Sequence, residues 1–277
     1  MFTCSRNSFA LAVSGALACS AGPALAADVP LAPHRATYEL SLMSSKGSDA
    51  PTSARGRIVY EFNGNACEGY TVNFRQATEL VSPEGKSQVL DTRSTTFESG
   101  DGKTFRFRIE TLSDGNRTKL VEGSAERASD ALSINLKSPT PSKSDIDVIA
   151  FFPVQQTLKG LEAARAGEMT LEMNAYDGSG DGQKIYHSLN IIGREMKKPA
   201  GDEAEKDEGL KGMKRWPVVT SYFEREKPDG APMYTLTFEM WENGVSSNLK
   251  LDYGDFVLGG KVSKYEALKA TPCTPGK

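Results

Sequence analysis

The chain has 277 residues, 33 lysines and arginines against 36 aspartates and glutamates, a net charge of −3 at neutral pH, and 38% hydrophobic residues. Mild acidity with interspersed signs excludes a nucleic-acid-binding protein, which needs a concentrated basic surface. No stretch reaches the roughly 20 consecutive apolar residues that a membrane-spanning helix needs.

The first segment is "MFTCSRNSFALAVSGALACSAGPALAADVP". Arg6 sits in a short polar opening, Ser8 to Ala18 is almost all small or apolar, and Ala24-Leu25-Ala26 forms a small-x-small site. Those parts in that order predict a secretory signal peptide over residues 1–26, cleaved after Ala26. Gly15, Gly22 and Pro23 argue against a buried helix here. A second reading takes Ala16-Leu17-Ala18-Cys19 as a weak lipoprotein cleavage site, with the chain anchored at Cys19. Residues 27–277 are then expected to form a single exported domain.

Apolar residues alternate with polar ones through most of the remaining chain, the pattern of strands with one buried face. Ala36, Tyr38, Leu40 and Leu42 share a face in "RATYELSL", and Ile58, Tyr60 and Phe62 do so in "RIVYEF". Tyr70, Val72 and Phe74 come next, then Phe105, Phe107 and Ile109, then Leu132, Ile134 and Leu136. "SPTPSKSDID" reads as a short loop. "FFPVQQTLKGLEAARAG" predicts one helix: Pro153 suits a first turn, Val154, Leu158 and Leu161 recur at helical spacing, and Gly167 ends it. Alternation returns with Met169, Leu171 and Met173. Lys198 to Arg215 is charged and poor in apolar residues, and is expected to be a mobile surface loop. "WPVVTSYFE", "MYTLTFEMW" and "SNLKLDY" are further strands, with Asn243-Gly244 between the last two expected to make a type I′ hairpin. The fold class is all-β with one helix: antiparallel sheet, a dozen or more strands, one solvated face.

Beyond the signal segment only Cys67 and Cys273 remain of the four cysteines. In an oxidising compartment an even pair most simply forms a disulfide, and one near each end fits a domain closed on itself, with the two ends of a strongly bent sheet stapled together. No CxxC redox motif is present. Zinc would need the cysteines together with His34 and His187, whose scattered spacing gives it no support, so no metal site is expected.

"YDGSGDGQKIYHS" is the stretch most suggestive of chemistry. Asp177, Ser179, Asp181 and Gly182 echo a calcium loop, yet Ser188 stands where the bidentate glutamate belongs, and a Gly-rich turn between strands is the plainer reading. A serine nucleophile would need His34 or His187 as base, and no GxSxG elbow is present. His34 follows Pro33 and suits the start of a strand; His187 lies within one. No catalytic residue, cofactor or phosphate loop is identified, and no ligand-binding residue can be named. The aromatic residues Tyr38, Tyr60, Phe62, Phe105, Phe107, Phe238 and Trp241 are mostly core, but a sheet too curved to fill its own interior leaves a cleft that such residues line.

"LAPHRATYELSL", "YDGSGDGQKIY", "WPVVTSYF" and above all "ENGVSSNLKLDYGDFVLGGKVSKYEAL" followed by Cys273 resemble the EipB family, envelope-integrity proteins of the alphaproteobacterial periplasm. The resemblance covers about Leu31 to Cys273. It implies a β-spiral, an open and strongly curved antiparallel sheet like an incomplete barrel with a central helix, and a Cys67–Cys273 bridge. It also implies a non-catalytic role in envelope maintenance, stress resistance and cell division, and partnership with a periplasmic helical-repeat protein or an envelope component. The Lys198 to Arg215 loop departs from the family pattern as an insertion. The expected protein is a monomer or weak dimer, not membrane-spanning, that binds a protein or envelope component in its concave face. The competing expectation is a carrier of a lipid or lipoprotein acyl chain. A third, a hydrolase, would require His187 beside a carboxylate or serine in a cleft.

Overall fold

The computed structural model describes residues 31–198, 201 and 203–273; the expected signal segment and Cys19 lie outside them. The strands are β1 (His34–Ser45), β2 (Ser53–Asn65), β3 (Gly69–Val81), β4 (Ser87–Glu98), β5 (Thr104–Ser113), β6 (Asn116–Arg127), β7 (Leu132–Ser138), β8 (Ser142–Ile146) and β9 (Ala150–Phe151). Helix α1 (Pro153–Ala166) comes next, then β10 (Thr170–Ala175), β11 (Tyr186–Ile192), β12 (Arg215–Glu224), β13 (Tyr234–Trp241), β14 (Ser246–Asp252) and β15 (Phe256–Ala267). All the strands belong to one 15-stranded sheet in the order β8-β7-β6-β5-β4-β3-β2-β1-β15-β14-β13-β12-β11-β10-β9. Every pairing is antiparallel except β9 on β10.

The chain therefore starts at the middle of the sheet. It winds outward through β2 to β8, crosses to the opposite edge at β9, and returns inward until β15 pairs with β1, Tyr38 opposite Val262. Only Asp147, Val148 and Ile149 connect β8 to β9. Four Cα steps reach at most about 14 Å, so the two edges must lie close together, and the sheet curls strongly to bring them there. No backbone ladder joins β8 to β9 among the described residues. The result is the open spiral.

What closes the spiral is side-chain packing. Phe105 and Phe107 of β5, Val121 of β6 and Ile134 of β7 pack against Ala150, Phe152 and Tyr176 from the other side of the gap. The Phe105 and Phe152 rings stack at 5.1 Å, and Tyr176 meets both Phe105 and Phe107 edge-on. The Asp177–Gly182 loop presses onto the same seam. A Cβ on Gly178 would lie 2.5 Å from the Phe107 ring, and one on Gly182 2.7 Å from Val121. Both glycines have positive φ, +74° and +84°, which a residue with a side chain adopts only under strain. Tyr176 donates its hydroxyl to the Gly182 carbonyl at 2.7 Å, holding the loop in shape. The glycine richness of this loop thus serves close packing across the seam.

Helix α1 fills the concave side. Its buried residues Val154, Leu161, Ala163 and Ala164 pack on Phe62 and Tyr70 from one arm of the sheet and on Ile192, Trp216, Val218 and Met240 from the other. Gly167 ends it in the left-handed conformation at φ +76°, with Glu168 N–H bonded to the Ala163 carbonyl, as a glycine C-cap does. A separate core, with Tyr38, Leu40, Ile58, Trp241, Leu251 and Leu258, lies at the centre of the sheet.

Four expectations are corrected. Part of "SPTPSKSDID" is the edge strand β8, whose residues are only half-buried or exposed and carry no apolar alternation. The Lys198–Arg215 segment is not simply a mobile surface excursion: it holds a 3-10 turn, Glu203–Lys206, and buries Ala204 and Leu210 in the central core. Asn243 does not have the positive φ of a type I′ turn; only Gly244 does, at +85°. The type I′ geometry belongs instead to Asp114-Gly115, with φ +50° and +82° between β5 and β6. Finally, Cys67 and Cys273 are joined, with Cα atoms 5.5 Å apart across a sequence separation of 206, but Cys67 is in the β2–β3 turn and Cys273 follows β15. Those elements flank the central strand β1. The bridge ties the β2–β3 turn to the segment after β15 near mid-sheet and does not clasp the two edges of the spiral.

Candidate functional site

Between α1 and the concave face of the sheet lies a cavity of about 370 Å³. Alternation puts Tyr38 of β1, Ile58 and Tyr60 of β2, Phe74 of β3, Tyr222 of β12 and Leu236 and Phe238 of β13 on its wall, while Gln156, Thr157 and Gly160 of α1 face it from inside. Gly160 leaves room here: a methyl group on its Cα would meet nothing closer than the Met240 sulfur at 3.7 Å.

An aromatic ladder runs across the adjoining strands: Tyr186 to Tyr222 at 6.3 Å, Tyr222 to Tyr234 at 6.2 Å, Tyr234 to Tyr253 at 5.1 Å and Tyr253 to Phe256 at 5.0 Å. Antiparallel register places Tyr222 directly opposite Tyr234, where aromatic cross-strand pairs favour each other. Burial raises the phenols of Tyr222 and Tyr234 well above their usual range, and it raises Tyr60 to about 12 with help from the Glu98 charge. They are neutral hydroxyls. Those of Tyr60, Tyr222 and Tyr234 make no hydrogen bond among the described residues. Other polar groups of the wall are already engaged: Thr220 donates to Asn190 at 2.7 Å, Asn190 to the Leu171 carbonyl at 3.0 Å, and Gln156 to the Phe151 carbonyl at 2.8 Å.

His34, the first residue of β1, is in the same wall and is 2% exposed. Its Nδ1 donates to the Ala32 carbonyl at 2.7 Å. A carbonyl can only accept, so Nδ1 carries the hydrogen and Nε2 presents a lone pair. Burial lowers the His34 pKa and the Ala32 bond opposes this only in part. The ring is stacked on Tyr265 at 5.8 Å and tilted against Tyr60 and Phe62. Nε2 has no partner. In sequence His34 reads only as a strand-start residue. Extending the inward register of Tyr38 and Ala36 back by two more residues places it on the concave face.

Glu98 sits at the far end of α1 from Gly167. It is 1% exposed, and accepts the N–H groups of Val154 and Gln155 at 2.8 and 3.0 Å. Phe152 precedes the helix and offers no side-chain cap, so a strand carboxylate takes that role. Burial lifts the Glu98 pKa to about 7, against the two N–H bonds and the charge of Arg127, which lower it.

The remaining sequence candidates fall elsewhere. His187 alternates with the cavity-lining Tyr186 and Asn190, so it points to the opposite face, where Nε2 lies 3.5 Å from Glu172. That pair is not in the concave cleft. Asp177 lines the cavity and its carboxylate accepts the Ser179 N–H at 2.9 Å. No group of three or more His, Cys, Asp or Glu side chains suited to a metal occurs among the described residues. No helix among them is long and apolar enough to cross a membrane. On the convex face a shallow depression is lined by Arg75, Arg93 and Arg108, whose charges are met by Asp91 and Glu122 at 2.6 to 2.9 Å.

Comparison with known proteins gives the same outline. Residues 25–269 match the EipB-like family. The cell envelope integrity protein EipB of Brucella abortus (strain 2308) is 36% identical over 248 residues, spanning 89% of this chain and 88% of that protein. A crystal structure of a β-barrel-like protein of a domain of unknown function, also from Brucella abortus, superposes with a TM-score of 0.81 at 33% identity, covering 87% of this chain and all of that one.

Proposed function

This chain belongs to the EipB-like family, and from that premise we propose that it is a periplasmic protein that maintains the cell envelope without catalysis, by binding a small molecule or segment in its concave face. The observation that carries this reading is the cavity of about 370 Å³ between α1 and the sheet, walled by aromatic and aliphatic side chains from both arms. Concave, mostly apolar sites with a few placed polar groups are the usual form of small-molecule sites. The name of the Brucella relative supplies the envelope role.

The test is to fill the cavity. Gly160→Leu adds bulk on the cavity face of α1 and replaces a poor helix former by a good one. Expressed in a strain lacking the protein, a folded Gly160→Leu variant should fail to restore growth under envelope stress, whereas wild type restores it. Full restoration would remove the concave face from the function. Cell fractionation checks the compartment, and crosslinking in intact cells identifies a protein partner, a helical-repeat protein being the expected kind.

A carrier of an acyl chain is a second reading, favoured by the aliphatic wall of Ile58, Leu236, Leu249 and Leu251. Organic extraction of protein purified from the envelope, followed by mass spectrometry, would recover stoichiometric lipid if it is right.

A further inference from the structure

The hollow between α1 and the sheet has two ends, and α1 stops one of them. Near its C-terminus Arg165 donates to the Glu242 carbonyl of the β13–β14 turn at 3.0 Å. Its N-terminal half lies against the same turn: a Cβ on Gly244 would sit 3.8 Å from the Thr157 methyl group. The opposite end carries the aromatic ladder. Tyr186 opens β11, Tyr234 opens β13 and Tyr253 directly follows β14. In an antiparallel sheet those positions all fall at the end away from the β13–β14 turn. Tyr186, Tyr222 and Tyr234 line the cavity on this side, Gln76 of β3 lines it on the other, and all four are only half-buried.

Tyr253 joins the two sides. Its ring lies 5.1 Å from that of Tyr234, and its hydroxyl accepts from Gln76 Nε2 at 3.3 Å. Between β14 and β3 stand β15, β1 and β2, four strand spacings or about 19 Å along the sheet. The contact therefore crosses the hollow as a chord and does not follow its wall. Gln76 is aimed for it, since the other hydrogen of its amide goes to Thr78 Oγ1 at 3.4 Å. The turn beneath Tyr253 is held in shape. Tyr253 N–H donates to the Phe256 carbonyl at 3.0 Å, and Gly254 N–H to the Asp252 carboxylate at 3.0 Å. The side chain is what is free to move, by changing rotamer. It is 38% exposed, and nothing lies within 4 Å of a Cβ position on the neighbouring Gly254, so outward rotation meets solvent.

We infer that the end of the spiral bearing the β14–β15 turn is the entrance to the concave cavity, and that Tyr253 gates it, lying across the mouth while bonded to Gln76 and opening by rotation of its side chain. This rests on the proposed binding role of the concave face and assigns its route of entry. One hydrogen bond between neutral groups biases the gate towards closure by roughly two- to tenfold, enough to slow exchange without sealing the site.

The test follows exchange of N-phenyl-1-naphthylamine, an uncharged dye that brightens in apolar surroundings, with the full chain by stopped-flow fluorescence. The cavity-filling Gly160→Leu should lose the signal, which fixes where the dye sits. In Tyr253→Phe the ring stays and the bond to Gln76 goes. Its association and dissociation rates should rise together, by roughly two- to tenfold, while the equilibrium affinity from titration stays close to that of wild type. Gln76→Met should speed association by a similar factor, and the double variant should be no faster than Tyr253→Phe alone, because both changes remove one interaction. Tyr253→Ala, which removes the ring as well, should exchange faster still. Wild-type rates in Tyr253→Phe would overturn the gate while leaving the cavity as a binding site. Faster dissociation with unchanged association would make Tyr253 a wall contact and overturn it too. A dye that does not bind, or that binds Gly160→Leu as it binds wild type, would remove both this inference and the small-molecule reading beneath it.

Discussion

Glu98 Oε2 on β4 accepts the Val154 N–H at 2.8 Å, so the first turn of the helix is capped from a strand 56 positions away in sequence. The folded state holds the Glu98 proton more tightly than the unfolded chain does, with a pKa of about 7 against an ordinary 4.5. A raised carboxylate pKa means that the folded state binds more protons than the unfolded one between those two values. Stability from this group is therefore greatest below about pH 4.5 and declines as pH rises towards 7. Relative to Glu98→Gln, the wild type should lose on the order of 3 kcal/mol over that window. Urea unfolding at a series of pH values measures it, and parallel pH profiles for the two proteins would refute the linkage.

The Cys67–Cys273 bridge closes a loop of 206 residues, for which chain entropy gives an upper figure of about 5 kcal/mol. Cys67→Ser should lower the melting temperature under oxidising conditions, and added reductant should abolish the difference. Because the bridge lies beside β1, the variant should keep the far-ultraviolet circular dichroism of the folded spiral. Equal melting temperatures in oxidising buffer would mean the sulfurs are not bonded in solution.

Arg215 and Glu239 form an ion pair at 2.7 Å, with side chains 5% and 15% exposed. The guanidinium also donates to the Lys198 carbonyl and stacks 4.9 Å from Trp241. Arg215→Ala strands a half-buried carboxylate, for which the cost of about 3–5 kcal/mol seen for fully buried pairs is an upper figure. The double variant Arg215→Met, Glu239→Leu should recover most of that loss. Limited proteolysis should cut the Arg215→Ala protein within 203–214 faster than the wild type. Denaturant titration of the three proteins decides between this and a pair of no consequence.

Gly178→Ala combines a positive φ with a clash on Phe107, and should destabilise by about 2–4 kcal/mol from backbone strain plus overpacking. Gly85→Ala is the control. It also has positive φ, +78°, but nothing lies within 4 Å of its Cβ position, so only the backbone cost of about 1 kcal/mol should appear. Equal losses at the two sites, by denaturant titration, would mean that the seam does not depend on close approach of this loop.

The concave face is legible in sequence because one side of most strands is buried and the other carries charge. Tyr38, Ile58 and Phe107 alternate with Glu39, Arg57 and Arg108 closely enough to show it. Helix α1 is legible from Pro153 and Gly167, whose backbone preferences act locally. Features set by distant parts of the chain are not. Glu98 reads as one more solvated strand acid until the helix N-terminus is laid over it. β8 has no buried face of its own, so its backbone pairing with β7 leaves no apolar period. Asn243-Gly244 reads as the stronger hairpin signal, yet only Asp114-Gly115 adopts positive φ at both residues. The position of the disulfide within the sheet depends on strand order, which cysteine counting does not reach.

Placing the first strand at the middle of the sheet has a consequence for how the molecule is made. As the chain emerges into the compartment where it folds, β1 can pair with β2 at once, but its other edge stays bare until β15 has followed. Nearly the whole polypeptide must therefore be present before the centre is sealed, a topology that folds slowly and leaves an open strand edge exposed to neighbouring chains in the interval. Protection of that edge by a holding chaperone, rather than the stability of the finished molecule, would then set the yield of native protein.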